Sequence, residues 1–428
     1  MNRPMIRILA LALCLACLLS GCSGASDGSQ PEDVSGSSQQ EPGPAVSSGP
    51  DSSQPQEPPA PPEPPEPQPQ LTQADIDEAL QAVMEDYSAV AVSVAAIENG
   101  QLSQSGAWGW AVRDEREMTA DTKLRVASLS KVAVGMCAMA MAEEGILDLD
   151  APLSTYWGES VQNPYSQSQP TARTLMSHSS SVKDLEITRG LSHLTGLLSS
   201  SSAWRSMEPG NGGYWYYSNF GVCVLGTTLE LASGQVLDDY FQSRFCQPLG
   251  LTASFFGGNL EEEELATLYN PSSVGRTAAA QASEGIPDQI GAGASWYPGG
   301  LTISAVDLAK LVAVLANGGE YEGVSYLEPG TVAEMETPQF QVDPGETSVF
   351  DQCLILRRQE NILGRDQIYY HTGSAYGVFS LLTFDPDTGD GVVVLTTGTP
   401  RQADEHGLYA LCSQLSADLY ARMEEEES

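Results

Sequence analysis

Strand-like sequence gathers at the two ends of residues 71–428 and is lost in between, and this division restricts the fold more than any other feature. Val90 to Ile97 and Leu102 to Val112 read as strands around Asn99-Gly100, a dipeptide that favours a tight hairpin because both positions accept positive φ. Near the other end, Ser348 to Leu356, Asp366 to His371, Ala375 to Phe384 and Gly391 to Thr396 are strand-like. The turn Asp385-Pro386-Asp387-Thr388-Gly389 joins the last two. Residues 150 to about 290 lose the alternation and hold loops, serine-rich stretches and helix-like segments such as Gly221 to Ala232 and Leu237 to Phe245. The two ends are therefore expected to build one antiparallel sheet, with the middle as a helical insertion packed beside it, an α+β fold. Helices are expected at Leu71 to Tyr87 with Thr72 as N-cap, at 128–144, at Ser304 to Asn317 before Gly318-Gly319, and at roughly Asp404 to Met423.

The first 70 residues do not belong to that fold. Arg3 and Arg7 precede an apolar stretch, Ile8 to Leu19, and then Leu19-Ser20-Gly21-Cys22. This is the layout of a cleavable export signal, and the run is too short for a membrane-spanning helix. Cysteine after Leu-Ser-Gly resembles the lipobox of bacterial lipoproteins, which implies cleavage after residue 21 and a lipid on Cys22. Residues 23–70 are almost all Ser, Gly, Pro, Gln, Glu and Asp, with no Lys, Arg or aromatic residue. They offer too little apolar surface to offset the entropy of ordering. Residues 22–70 read as a lipidated tether spanning on the order of 40 Å, and more where proline stiffens it. The expected organisation is a signal at 1–21, the tether at 22–70 and a folded domain at 71–428, at the bacterial cell surface.

The chain carries 56 acidic and 19 basic residues, a formal charge of −37. Such a surface repels nucleic acid and anionic lipid headgroups, so the membrane contact expected is the lipid itself. Of eight cysteines, Cys14, Cys17 and Cys22 belong to the leader. The five left (Cys137, Cys223, Cys246, Cys353, Cys412) are odd in number and widely spread, which argues against a disulfide framework. The four histidines show no ligand spacing, and neither a metal nor an organic cofactor is expected.

Chemistry enters at Ser128-Leu129-Ser130-Lys131, followed by an apolar helical run, Val132 to Met141. At the start of that helix, Ser128 and Lys131 fall on one face, a hydroxyl beside an amine as in the S-x-x-K enzymes. A second match, Ser180-Ser181-Val182-Lys183, has no long apolar helix behind it and reads as a loop. Further on come Tyr216-Tyr217-Ser218-Asn219 and His371-Thr372-Gly373-Ser374.

The order Ser-x-x-Lys, Tyr-Ser-Asn, His-Thr-Gly resembles the penicillin-recognising serine hydrolases of the class C β-lactamase type, with their D-Ala-D-Ala carboxypeptidases and esterases. The segment Glu143 to Leu153, Thr174 to Ser180 and Pro298-Gly299-Gly300-Leu301 with Asp307-Leu308-Ala309 resemble further family stretches. The match runs in order from about residue 75 to 420. It implies a β-lactamase/transpeptidase-like fold and an acyl-enzyme on Ser128. Lys131 and Tyr217 would share the proton of Ser128, either one as the base. Asn219 would bond Lys131 or the substrate amide. His371, Thr372 and Gly373 would bind substrate, glycine allowing its close approach. The backbone N–H groups of Ser128 and Ser374 would form the oxyanion hole.

Two departures from the family pattern stand out. Glycine is missing after Ser179-Ser180, which predicts a differently shaped loop at 178–186. His371 stands where β-lactamases of this class usually carry lysine, which shifts the expectation towards peptide or ester, though a charged imidazole would still meet a carboxylate. His178 reads as structural. The expected function is an extracytoplasmic, D-alanyl-D-alanine carboxypeptidase-like hydrolase of peptidoglycan peptides, with esterase and β-lactamase as alternatives. A non-catalytic lipoprotein that binds peptide or muropeptide is the rival from another class. The sequence is silent on oligomeric state.

Overall fold

Antiparallel pairing joins the first strands of the folded region to the last in a computed structural model that describes residues 71–424 other than Glu346. The export signal, Cys22 and the tether expected at 1–70 lie outside the described residues. The elements that carry the architecture are α1 (Gln73–Asp86), β1 (Ala91–Glu98), β2 (Gln101–Val112), β3 (Arg116–Glu117), α2 (Ser130–Glu143), α3 (Asn219–Ser233), α4 (Ala305–Ala316), β4 (Phe340–Val342), β5 (Phe350–Gln352), β6 (Arg357–Ile362), β7 (Arg365–Ala375), β8 (Val378–Asp385), β9 (Asp390–Thr397) and α5 (Ala410–Glu424).

One sheet holds all nine strands in the order β4-β5-β6-β7-β8-β9-β1-β2-β3, so β1 lies between its hairpin partner β2 and the last strand β9. The register runs Ala91↔Thr397 to Ile97↔Gly391. Asn99 and Gly100 both take positive φ, at 52° and 73°, as the hairpin requires. Every residue of β1 and β9 is buried, because the sheet is covered on both faces. Val92, Val94 and Val394 pack with Ile76 and Leu80 of α1 and Leu415 and Leu419 of α5. The opposite face, through Ala95, Leu382 and Leu395, joins the larger core with α2, α4 and the helical insertion. α2 is buried from Ser130 to Met141, which explains why its sequence is apolar all round rather than in a stripe.

Several sequence expectations shift by a turn or two. Thr72 caps α1 as expected, its hydroxyl accepting from Asp75 N–H while Asp75 bonds back to Thr72 N–H at 2.8 Å. The strand expected over Ser348 to Leu356 stops at Gln352, and Cys353 to Leu356 form a buried turn with Ile355 at φ 67°. Ile355 N–H donates to Met176 O and packs its side chain close to Gly135 of α2, so an apolar run that reads as a strand is a core-filling bend. β6 follows, a strand of polar sequence that alternation did not reveal. α5 begins at Ala410 rather than Asp404, because Asp404 Oδ1 accepts from the N–H groups of His406 and Leu408 and holds a turn there. All five cysteines of the described residues are buried and unpaired.

Candidate active site

A single turn of 3-10 helix, Ala127–Leu129, carries Ser128, and α2 starts only at Ser130. Ala127 sits at φ 52°, a strained position for a residue with a Cβ, and it lifts the following serine out of the helix. The segment is held from several sides. Val126 N–H donates to Leu301 O at 2.9 Å, Ser380 Oγ donates to Val126 O at 3.1 Å, and Ser130 Oγ donates to Ala127 O at 2.6 Å.

Lys131 lies one turn along, fully buried. Its Nζ is 3.0 Å from Ser128 Oγ, 2.9 Å from Asn219 Oδ1 and 2.6 Å from Pro298 O. A buried amine left without such partners would cost several kcal/mol, on the order of 2–7 even when neutral. Tyr217 OH is 2.9 Å from Ser128 Oγ on the other side. The structure therefore brings together Ser128, Lys131, Tyr217 and Asn219 from two distant parts of the chain.

The Tyr-Ser-Asn segment is placed by a helix cap. Ser218 caps α3, its hydroxyl accepting from Gly221 N–H at 2.8 Å, so Tyr217 precedes the helix and Asn219 opens it. Asp184 accepts from Phe220 N–H at 3.0 Å and Ser218 Oγ at 3.2 Å. His178 lies under the Tyr217 ring, centroids 4.5 Å apart, and its Nδ1 faces Ser218 N–H at 3.4 Å. Burial, then the charges of Lys131 and Arg357, hold His178 well below the usual histidine range, so it packs as a neutral ring.

The loop at 178–186 resolves its missing glycine in its own way. Ser181 takes φ 65°, the conformation a glycine would adopt, and Asn163 Nδ2 donates to its hydroxyl at 2.7 Å. In the second S-x-x-K match, Lys183 Nζ donates to Ser202 O at 2.8 Å and Ser180 Oγ accepts from Val182 N–H, so the two side chains have separate partners.

β7 runs past the nucleophile. Its pairing with β6 ends at Arg357↔Tyr370, while its pairing with β8 continues to Ala375↔Val378. The edge from His371 to Ala375 is thus open on one side, with Thr372 partly and Ser374 well exposed. Gly373 has a second reason beside the substrate approach expected of it. A Cβ there would overlap Val126 O and Ser380 Oγ, so glycine lets the strand close onto the nucleophile segment itself.

His371 also needs correction. It is 2 % exposed, and its Nδ1 bonds Thr372 O at 2.8 Å. Burial, with Arg357 and Lys131 nearby, holds its pKa well below the usual value. An enclosed imidazole whose charged form is disfavoured is less suited to the carboxylate contact considered from sequence.

The cation at this site is Arg357, which the sequence reading missed. It opens β6, partly exposed, with its Cζ 5.8 Å from the Trp215 ring centroid, 5.9 Å from Tyr217 and 4.6 Å from Phe350. It makes no ion pair with a carboxylate among the described residues. Pro298 O was missed too, although Pro298-Gly299-Gly300-Leu301 had been singled out. A backbone carbonyl leaves no residue-type signature. Among the described residues no group of three His, Cys, Asp or Glu side chains is placed to hold a metal ion.

Comparison with known proteins places this geometry in a family. The beta-lactamase family pattern matches residues 76–413. The chain is 29% identical over 216 residues to esterase EstB of Burkholderia gladioli, an overlap of 44% of this chain and 52% of that one. The match thus spans about half the length of that esterase. It is 26% identical over 308 residues to a lovastatin esterase of Penicillium rubens, covering 65% of this chain and 74% of the other. Among solved structures, a beta-lactamase/D-alanine carboxypeptidase of Pseudomonas syringae superposes with TM-score 0.62 at 17% identity over 83% of this chain and 99% of its own. The octameric penicillin-binding protein homologue of Pyrococcus abyssi gives TM-score 0.62 at 19% identity, over 83% and 79%. At such identities the structural likeness establishes the fold, and the sequence match over residues 76–413 establishes the rest: the chain belongs to the beta-lactamase family of serine hydrolases.

Proposed function

We propose that the chain is an extracytoplasmic, lipid-anchored hydrolase that acylates Ser128 and acts as a D-alanyl-D-alanine carboxypeptidase on peptidoglycan peptides. The observation that carries the nucleophile is the pair of contacts on one oxygen: Lys131 Nζ at 3.0 Å and Tyr217 OH at 2.9 Å from Ser128 Oγ. The same heavy atoms satisfy two proton arrangements. A neutral Lys131 donates to Asn219 Oδ1 and Pro298 O and accepts the proton of Ser128. An ammonium Lys131 donates to all three oxygens, and an ionised Tyr217 accepts instead. In either case Ser128 Oγ bonds the acyl carbon as its proton passes to the pair, and the bond from that carbon to the leaving group breaks as the leaving group takes the proton. Water, deprotonated by the same pair, then attacks the acyl carbon, the Oγ–acyl bond breaks, and the acid leaves as Oγ regains a proton. Negative charge growing on the carbonyl oxygen would be met by the N–H groups of Ser128 and Ser374, with Thr372 and Ser374 along the open edge of β7.

Arg357 supports the peptide reading. A cation beside the Tyr217 ring with no carboxylate partner among the described residues suits a substrate that ends in one. Esterase activity is the second reading, favoured by the neutral, buried His371 and by the two esterases among the relatives. The test compares a peptide ending in D-Ala-D-Ala with its C-terminal amide. The peptidase reading expects the free acid to be cleaved at least about tenfold faster, and Arg357→Gln to erase the difference by removing a charge-assisted contact. Equal rates on acid and amide, beside efficient hydrolysis of a short p-nitrophenyl ester, would select the esterase. Binding of peptide with no turnover of either would select the non-catalytic receptor.

A further inference from the structure

A carboxylate that the proposed chemistry does not use ties the nucleophile segment to other walls of the site. Glu284 follows a short helix, Ala278–Ala282, at the end of the insertion, and its side chain is 6% exposed. Arg125 Nη2 lies 2.6 Å from both of its oxygens, Arg276 Nη2 lies 2.7 Å from Oε1, and Trp296 Nε1 donates to Oε2 at 3.3 Å. Two neighbouring segments and the distant nucleophile segment thus meet on one side chain.

Each of them leads to the site. Arg125 stands three residues before Ser128 and pairs with Thr302 across a two-residue ladder. Its guanidinium also lies 5.3 Å from the ring centroid of Tyr376, which is half exposed in the turn after β7. Trp296 stacks under Arg189 at 5.1 Å and precedes Pro298, whose carbonyl holds Lys131. Arg276 ends a small hairpin that pairs Leu268–Asn270 with Ser273–Arg276, and Gly275 of that hairpin lies close to Tyr376 O.

The physics favours positioning over mere charge balance. The Arg125 side chain is 5% exposed, so it stays folded inward only with a counter-charge. Arg125 Nη2 at 2.6 Å from both carboxylate oxygens makes this a short, charge-assisted contact. The turn they anchor includes Ala127 at φ 52°, and strain of that kind persists only where surrounding contacts over-determine it. Glu284 supplies the charged contact in that set; the others at Val126, Ala127 and Ser130 are neutral hydrogen bonds.

We propose that Glu284 is a positioning residue: through Arg125 it sets where Ser128 Oγ stands, and through Trp296 it sets the wall that carries Pro298. This rests on the reading of Ser128 as the acylated residue. The experiment measures single-turnover acylation and steady-state kinetics with p-nitrophenyl acetate, alongside the melting temperature, for wild type, Glu284→Gln, Glu284→Asp and Trp296→Phe. Glu284→Gln, in its folded fraction, should acylate about a hundredfold more slowly, with the loss in kcat, as displacement of a reacting group by about 1 Å does. Glu284→Asp keeps the charge that buried Arg125 needs but withdraws the carboxylate, and should fold and still lose about tenfold. Trp296→Phe removes the indole N–H contact and trims the ring on which Arg189 and Phe256 pack, and through the wall that holds Lys131 it should lower kcat by about tenfold. If Glu284→Gln or Glu284→Asp melts earlier yet acylates at the wild-type rate, the role is purely structural and the proposal fails. A wild type that forms no acyl-enzyme overturns the reading of Ser128 and this proposal with it. A competent wild type matched by both Glu284 variants overturns this proposal alone.

Discussion

At the scale of single residues, the site is a matter of how many partners each polar atom has. Lys131 is fully buried and meets three oxygens, one from the turn just before its helix, one from α3 and one from the backbone at Pro298. Those partners explain how a buried amine is kept beside Ser128. Gly373 makes the complementary point about space. Replacing it by alanine sets a methyl against Val126 O and Ser380 Oγ, and the carbonyl belongs to the nucleophile segment. Gly373→Ala is therefore expected to push Ser128 away from β7 and slow acylation by about a hundredfold, in the range a misplacement of about 1 Å produces. A wild-type acylation rate in stopped-flow measurement would show that the segment yields without consequence.

At the scale of elements, legibility followed how local each signal is. Ser128 with Lys131, and Tyr217 with Asn219, lie within short motifs beside helix starts, so sequence marked them and the structure places their side chains together. The cap at Thr72, the hairpin at Asn99-Gly100 and the helix after Ser304 were legible for the same reason, since each depends on a few adjacent residues. What escaped was set by tertiary contact. Leu354, Ile355 and Leu356 read as strand because they are apolar, but they bury themselves as a bend. β6 reads as polar, because its pairing with β7 and the ion pairs of Arg358 with Asp351 and Glu360 stand in for an apolar face. That misplacement hid Arg357, the first residue of β6. His371 was placed on the right strand, but depth is not written in a strand pattern, and its side chain is enclosed. Glu284 carried no motif; only folding brings Arg125, Arg276 and Trp296 onto it.

At the scale of the whole molecule, closing β1 against β9 makes the N- and C-terminal segments one unit and leaves the insertion to supply Tyr217 and Asn219, and the segment after it Pro298, from beside the sheet. Two cores on opposite faces hold that sheet fixed, so β7 and α2 keep their relation across the nucleophile. The proposed anchor adds a location to this chemistry. Replacing Cys22 by serine is expected to move the protein from the membrane to the soluble fraction of a bacterial host with catalysis unchanged; unchanged partition would contradict the lipid. The central claim is more direct: one oxygen, Ser128 Oγ, receives the acyl group. Purified protein treated with a fluorophosphonate probe and digested for mass spectrometry should carry a single adduct on the peptide containing Ser128. Ser128→Ala should carry none, and Lys131→Met should label at least about a hundredfold more slowly, the scale of a lost general base. An adduct on another residue, Ser180 included, or equal labelling of wild type and Ser128→Ala would contradict the account.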